Sequence, residues 1–236
     1  MAHRSSGATS KGRMSVKSYP INLVRLEERR CIVVGGGDVA RRKVESLLDA
    51  GARQVVVISP RLGDGLAQLQ RRGRIQHLAR AYQPGDLKDA FLVIATTDDP
   101  KVNQAVSQEA EAEGILVNVA DDPDHCNFIV PSTLRRGDLV IGLSTGGQSP
   151  ALAASLRRQL ERAFGPEHSA FLELAGGLRS RVARELPASA RARFWHDLVG
   201  SQALTLLRDG QEARARRLAD ELLAAHLARA NGGATQ

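Results

Sequence analysis

Hydrophobic residues in the first half of the chain come in short unbroken runs, separated by longer stretches with helical spacing. The runs "CIVV" (Cys31 to Val34), "VVVIS" (Val55 to Ser59) and "FLVIA" (Phe91 to Ala95) are too short for helices and too continuous for strands with one wet face. Such runs predict the buried strands of a parallel sheet. Between the first two, Val39, Lys43-Val44 and Leu47-Leu48 recur at spacings of three and four before Gly51, which predicts a helix with a glycine stop. "DDPKVNQAVSQEAEAEG" predicts a second helix, with Asp99 as N-cap, Pro100 in the first turn and Gly114 past the end; "ILVNVA" then follows as a strand. Strand and helix alternating in this way predict βαβ units with right-handed crossovers.

The pattern changes after Phe128. "FIVPSTL" and "DLVIGLST" flank the short segment "RRG" and predict an antiparallel hairpin. The next helix opens with Ser149 as cap and Pro150 in the first turn, and Leu152, Leu156, Leu160 and Phe164 repeat every four residues along one face. Further helical segments, broken at Gly165-Pro166, Pro187 and Gly210, complete the chain. The predicted class is α/β: a Rossmann-type parallel sheet, then an antiparallel hairpin region, then a C-terminal helical module. The predicted boundaries are a leader at 1–17, the sheet domain at 18–127, the hairpin region at 128–148 and the helical domain at 149–236.

Charge and composition narrow the function classes. The net charge of +7 suggests nucleic acid, but its distribution does not. Four basic residues and no acids lie before Ser18, 16 basic against 17 acidic lie in 18–150, and 13 against 9 lie in 151–236. With the excess at the two ends and only 3% aromatic residues, a nucleic-acid partner is not expected. No apolar window approaches the roughly 18 residues of a membrane span, no secretory signal is visible, and two cysteines cannot build a disulfide framework. A soluble cytoplasmic protein with no membrane partner is expected. The first 17 residues, rich in Ser, Gly and Lys/Arg, read as a disordered leader with Met14 as an alternative start.

Chemistry enters at "VVGGGDVA", which follows a predicted strand and opens a predicted helix. Gly35 permits the tight turn, Gly36 lies between, Gly37 lets backbone amides approach a pyrophosphate, and Ala40 keeps the helix close to the strand. The anion would rest on the helix N-terminus. The acidic residue expected at the end of the second strand is missing; Ser59-Pro60-Arg61 stands there. Arg61 either meets a 2′-phosphate or is a solvated surface cation, so this turn leaves NAD and NADP open. The later strands end in "ATTDD", with Thr96, and "NVADDPDHCNF", with Asp121 directly after the strand. Strand carboxyl ends form the ligand crevice in such sheets, and Asp121 is the best placed carboxylate. Asp122, Asp124 and His125 share its loop, where a run of acids is more commonly solvated. Cys31 reads as core and Cys126 as a structural thiol; His77, His168 and His196 show no partner pattern.

Taken in order, "YPINL", "VVGGGDVARRKVESLLDAGA", "VVVISP", "IATTDDPKVNQAVS", "NVADDPDHCNFIVPS" and "GLSTGGQSPALAASLR" resemble the siroheme synthase N-terminal domain family, that is, precorrin-2 dehydrogenase and sirohydrochlorin ferrochelatase, over Tyr19 to Arg158. The combination of the glycine turn with N-V-x-D-x-P-x-x-C-x-F-x-x-P-S is what makes the match specific. The resemblance implies NAD-dependent oxidation of the tetrapyrrole precorrin-2 to sirohydrochlorin in siroheme biosynthesis, and leaves iron insertion from Fe²⁺ open. It implies cofactor contacts at Asp38, Val39, Ser59 and Pro60, beside those of the motif residues and Thr96, and makes Asp121 the acid/base. It implies a homodimer in which the hairpin region exchanges contacts between subunits. No resident metal is assigned, since no metal-ligand spacing is present. The family's phosphorylatable serine is replaced by Thr145. The fused methyltransferase domain is not found in these 236 residues, so a stand-alone form served by a separate methyltransferase is expected. A net-positive C-terminal region would attract the substrate's carboxylates, with Arg157 and Arg158 as candidate clamps. Two rival readings are another NAD(P)-dependent oxidoreductase and a nucleotide-sensing module without chemistry.

Overall fold

The expected aliphatic runs form the middle of one parallel sheet. The computed structural model describes Ser18–Gly232, and the expected leader lies outside these residues. In chain order the first unit runs β1 (Arg30–Val34), α1 (Asp38–Asp49), β2 (Gln54–Ile58), α2 (Asp64–Arg71), β3 (Gln76–Leu78), β4 (Leu92–Ala95), α3 (Pro100–Ala112) and β5 (Leu116–Val119). The strand order is β3-β2-β1-β4-β5, so the direction of winding reverses between β1 and β4. Register aligns Val34 with both Ile58 and Ala95, and Ala95 with Val119. The carboxyl ends of four strands therefore finish level, at the switch point where ligands of open α/β sheets bind.

Both faces of the sheet are covered, which is why its strands read as continuous apolar runs. On one face Cys31, Val33, Val55, Val57 and Ile94 pack with Ala40, Val44 and Leu47 of α1 and Leu66 of α2. On the other, Ile32, Val34, Val56, Ile58, Val93 and Val117 pack with Val106 and Ala110 of α3. Cys31 is a core residue, fully buried, and burial pushes its thiol up to about 11. Asp99 caps α3 as expected: its carboxylate accepts from the Lys101 amide at 2.9 Å, with Pro100 as the first helical residue. The strand β3 has no counterpart in the aliphatic pattern; it is a three-residue edge strand, "QHL", whose side chains are exposed or half-buried.

The second unit begins at Pro131. It contains β6 (Ser132–Arg136) and β7 (Leu139–Leu143), paired antiparallel, then α4 (Pro150–Ala163), α5 (Glu167–Glu185), α6 (Ala188–Val199), α7 (Ala203–Arg208) and α8 (Glu212–Gly232). Arg136 pairs with Leu139, so the hairpin turns at Gly137-Asp138, with Gly137 left-handed at φ 55. A two-residue turn of this hand needs glycine at that position, and both arginines are drawn into the strand. The helical core is built from Leu178, Val182, Leu186, Phe194, Leu198 and Leu223. Ser149 caps α4 by accepting from the Leu152 amide at 3.2 Å. Of the leucine stripe of α4, Leu152 is 51% exposed and Leu156, Leu160 and Phe164 are half-buried, while Ala153 is the buried position of the helix. Hairpin and helices fall in one unit, and the division lies between Val130 and Pro131. Among the described residues no helix is long and apolar enough to cross a membrane.

Candidate active site

Three glycines follow β1, and each stands in a different environment. Gly35, at φ 126, presses on the end of β4: a Cβ there would lie 2.5 Å from Thr96 Oγ1 and 2.9 Å from the Thr96 carbonyl. Thr96 is itself fixed, its amide and hydroxyl donating to the Val34 carbonyl at 2.8 and 3.1 Å. Gly36 presses on the turn after β2: a Cβ would lie 2.0 Å from the Arg61 carbonyl and 2.5 Å from Ser59 Oγ. That turn is held in turn by Ser59, whose hydroxyl donates to the Arg61 carbonyl at 2.7 Å, and by the Gly63 amide, which donates to the Gly36 carbonyl at 2.8 Å. So Gly35 and Gly36 are explained by the chain's own packing.

Gly37 is not. Its φ of −89° suits any residue, and a Cβ built on it meets nothing within 4 Å. It is the N-cap of α1, with no side chain capping the helix, so backbone N–H groups face an open approach. A glycine that neither backbone geometry nor internal contact demands fits the close approach of a ligand's pyrophosphate, and the residues present fit a dinucleotide. Asp38 and Val39 form the first turn of α1 and are both exposed, Val39 at the helix start rather than on its buried face. Pro60 and Arg61 are exposed at the end of β2.

Asp121 leaves β5 in a tight turn: the Ala120 amide donates to the Ala95 carbonyl at 2.8 Å, and the Asp122 amide returns to the Val119 carbonyl at 3.3 Å. Asp121 is the third residue of that turn and sits left-handed at φ 60, with its side chain exposed. Glycine or asparagine is favoured there; a carboxylate carries strain. His125 and Asp122 pair across the loop at 2.7 Å, Nδ1 to Oδ2, both half-exposed. The structure thus places Gly35 against Thr96, Gly36 against Ser59, Gly37, Asp38 and Val39 at the adjoining helix start, and Asp121 at the end of the outer strand β5.

Several residues near the site receive no role from the sequence. His77, expected to have no role, lies on β3, and its Nε2 meets the Ser59 carbonyl at 2.8 Å, tying the turn after β2 to the sheet edge. Lys43, half-buried on α1, has its ammonium pulled down mainly by burial and also by Arg42, while Asp121 and Cys126 pull it back up. Lysine and carboxylate therefore share one field. Asn118, a polar residue inside the aliphatic run of β5, is buried and donates to the Phe128 carbonyl at 3.1 Å. Its position within "ILVNVA" is a visible signal that something is fixed there. Among the described residues no group of three or more His, Cys, Asp or Glu side chains could hold a metal ion.

Known proteins resemble the chain in three successive segments. Residues 23–132 match a family described as putative NAD(P)-binding, 136–163 match the sirohaem biosynthesis protein central region, and 168–223 match the sirohaem synthase dimerisation region. The siroheme synthase of Methylobacillus flagellatus is 41% identical over 213 residues, covering 88% of this chain and 44% of that protein. Siroheme synthase 1 of Aeromonas salmonicida is 44% identical over 203 residues, covering 85% of this chain and 43% of its own length. The chain therefore spans less than half the length of these relatives. The solved structure of SirC, a precorrin-2 dehydrogenase, superposes with a TM-score of 0.70 at 22% identity, over 86% of this chain and all of that one. At that identity the likeness is one of fold.

Proposed function

We propose that this chain, which belongs to the siroheme synthase N-terminal domain family, is an NAD-dependent dehydrogenase that oxidises precorrin-2 to sirohydrochlorin. The observation that carries the reading is the pairing of an unfilled approach at Gly37 with a left-handed carboxylate, Asp121, on the same carboxyl edge of the sheet. A nucleotide sensor would have no use for a carboxylate held in a strained turn.

The reaction removes two hydrogens from the substrate as a hydride and a proton. Bound NAD⁺ supplies the hydride acceptor. The residues of the chain do the rest. Backbone amides at the start of α1, with Gly35, Gly36, Gly37, Asp38 and Val39, would hold the pyrophosphate of the dinucleotide, and Ser59, Pro60 and Thr96 would supply further cofactor contacts. The Asp121 carboxylate accepts the proton, and the Lys43 ammonium lies within its field. We take NAD rather than NADP, as the family resemblance implies. An Arg61→Ala variant titrated with both cofactors separates the two: affinity for NAD⁺ and NADP⁺ should hold, whereas an enzyme built for NADP would lose affinity for NADP⁺.

The same reading makes the protein a homodimer. Its support is the match of 168–223 to a dimerisation region and the exposure of Leu152, Leu172 and Val199 on the helices. Two free thiols suit a reducing cytoplasm. Fe²⁺ enters only as the substrate of a second, chelating activity. The test is direct: supply freshly made precorrin-2 with NAD⁺, follow the sirohydrochlorin spectrum, then add Fe²⁺. Turnover by the native chain and a loss of at least about 100-fold in Asp121→Asn, with NAD⁺ still bound, are expected. A folded, NAD⁺-binding protein that leaves the spectrum unchanged would overturn the function.

A further inference from the structure

The loop that carries Asp121 is closed at its neck by three side chains that the reaction itself does not use. Cys126 Sγ accepts from the Val119 amide at 3.1 Å and from Asn118 Nδ2 at 3.5 Å. Its own proton has two acceptors, the Asp122 carbonyl at 3.1 Å and the Val119 carbonyl at 3.4 Å. Next to it, Asn127 lies along the outer edge of β5 like an extra piece of strand. Its Oδ1 accepts from the Val117 amide at 2.7 Å, its Nδ2 donates to the Ile115 carbonyl at 2.9 Å, and its own amide donates to the Val117 carbonyl at 3.0 Å. Apart from the one to the Asp122 carbonyl, these bonds join residues that enter the loop to residues that leave it.

We infer that Asn118, Cys126 and Asn127 form a clasp that positions Asp121 for proton transfer, with the Cys126 thiol as its hub. Val119 and Asp122 are the two residues whose backbone groups define the turn around Asp121, and both are bonded to the sulfur. Without that hub a left-handed aspartate is held against its preference for ordinary backbone by three backbone bonds, Ala120 amide to Ala95 carbonyl at 2.8 Å and two at 3.3 Å, Asp122 amide to Val119 carbonyl and His125 amide to Asp122 carbonyl. The thiol suits the place because it remains protonated: burial pushes its pKa up, so it can both give and accept a hydrogen bond. A thiolate would lose the donor and repel the two carbonyls. Cys126 is therefore a positioning residue, acting through Asp121.

The inference rests on Asp121 being the base, and the experiment separates the two claims. Cys126→Ala, Cys126→Ser and Asp121→Asn are made in the full chain and assayed for precorrin-2 turnover, KM, NAD⁺ affinity and thermal unfolding. Because a misplacement of an ångström in a reacting group can cost about 100-fold, Cys126→Ala is expected to lower kcat by about 10- to 100-fold. KM and NAD⁺ affinity should change less than about threefold, since the glycine turn is untouched. The serine variant, which keeps a donor and an acceptor, should recover most of kcat. If Asp121→Asn retains turnover, the base assignment fails. If Asp121→Asn is inactive while Cys126→Ala turns over like the native chain, the clasp fails and the base stands. If alanine and serine lose turnover, NAD⁺ binding and folding together, Cys126 serves the fold as a whole and the positioning role is wrong.

Discussion

The glycine turn after β1 and the aspartate turn after β5 meet the same demand with opposite means. Both need left-handed backbone at the carboxyl edge of the sheet, Gly35 at φ 126 and Asp121 at φ 60. The first only has to let other atoms come close, so a residue with no side chain serves, and the neighbours of Gly35 crowd in to 2.5 and 2.9 Å from where a Cβ would be. The second has to deliver a carboxylate, so it cannot be glycine. Its conformation is supplied from outside, by Cys126, Asn118 and Asn127. A binding turn can be encoded in its own residues, whereas a turn that presents a reactive group borrows its shape from residues several positions away.

The largest break in that comparison is Gly36→Ala. The added methyl would overlap the Arg61 carbonyl and Ser59 Oγ, and the nearer of these is backbone, already bonded to the Ser59 hydroxyl. Relief requires moving the turn after β2, at a cost of about 3 kcal/mol. Urea unfolding should show a loss of that size, together with weakened NAD⁺ binding. Gly37→Ala should do the reverse. Its methyl meets nothing in the chain, and glycine's small advantage as an N-cap is offset by the freedom alanine removes from the unfolded chain. Stability should stay within about 0.5 kcal/mol, while NAD⁺ affinity falls about tenfold, or about 1.4 kcal/mol. Equal losses of stability in the two variants would mean that Gly37 is a folding glycine like its neighbour.

The contrast also explains what the sequence reveals and what it hides. The sheet is legible because each buried strand carries its own evidence, an aliphatic run such as "VVVIS" closed by polar residues. The glycine turn is legible for the same reason, and so are the caps at Asp99 and Ser149, since each acts on amides two or three residues away. Asp121 stands out only because a strand end is a place for chemistry; nothing nearby in sequence announces its left-handed backbone. β3 is hidden because three polar-edged residues have no period, and they become a strand only through Val56 to Ile58 alongside. His77 illustrates the same limit, since its partner Ser59 is 18 positions away. In α4 the leucine stripe correctly predicts a helix, but Leu152 ends up 51% exposed, because periodicity shows that a face is apolar and not what covers it.

The smallest expected effect is the most searching test of the comparison, because it exchanges the two solutions. Asp121→Gly removes the reactive group and places at φ 60 the residue that the glycine turn uses. Left-handed strain of about 1 kcal/mol is relieved, and roughly 0.5 to 1 kcal/mol is returned through the greater freedom of glycine in the unfolded chain. Stability should therefore change by no more than about 0.5 kcal/mol, in a protein with no turnover. The sharper quantity is the coupling to Cys126. In the native chain, cutting the clasp lets Asp121 relax, so the measured cost of Cys126→Ala is the clasp's bonds less the strain they hold in place. With glycine at 121 there is no strain to release, and the same substitution should cost more, by up to about 1 kcal/mol. Four unfolding curves, for the native chain, each single variant and the double variant, measure that difference. A coupling of zero would mean that Asp121 holds its left-handed backbone without help, and the aspartate turn would then encode its shape as locally as the glycine turn does.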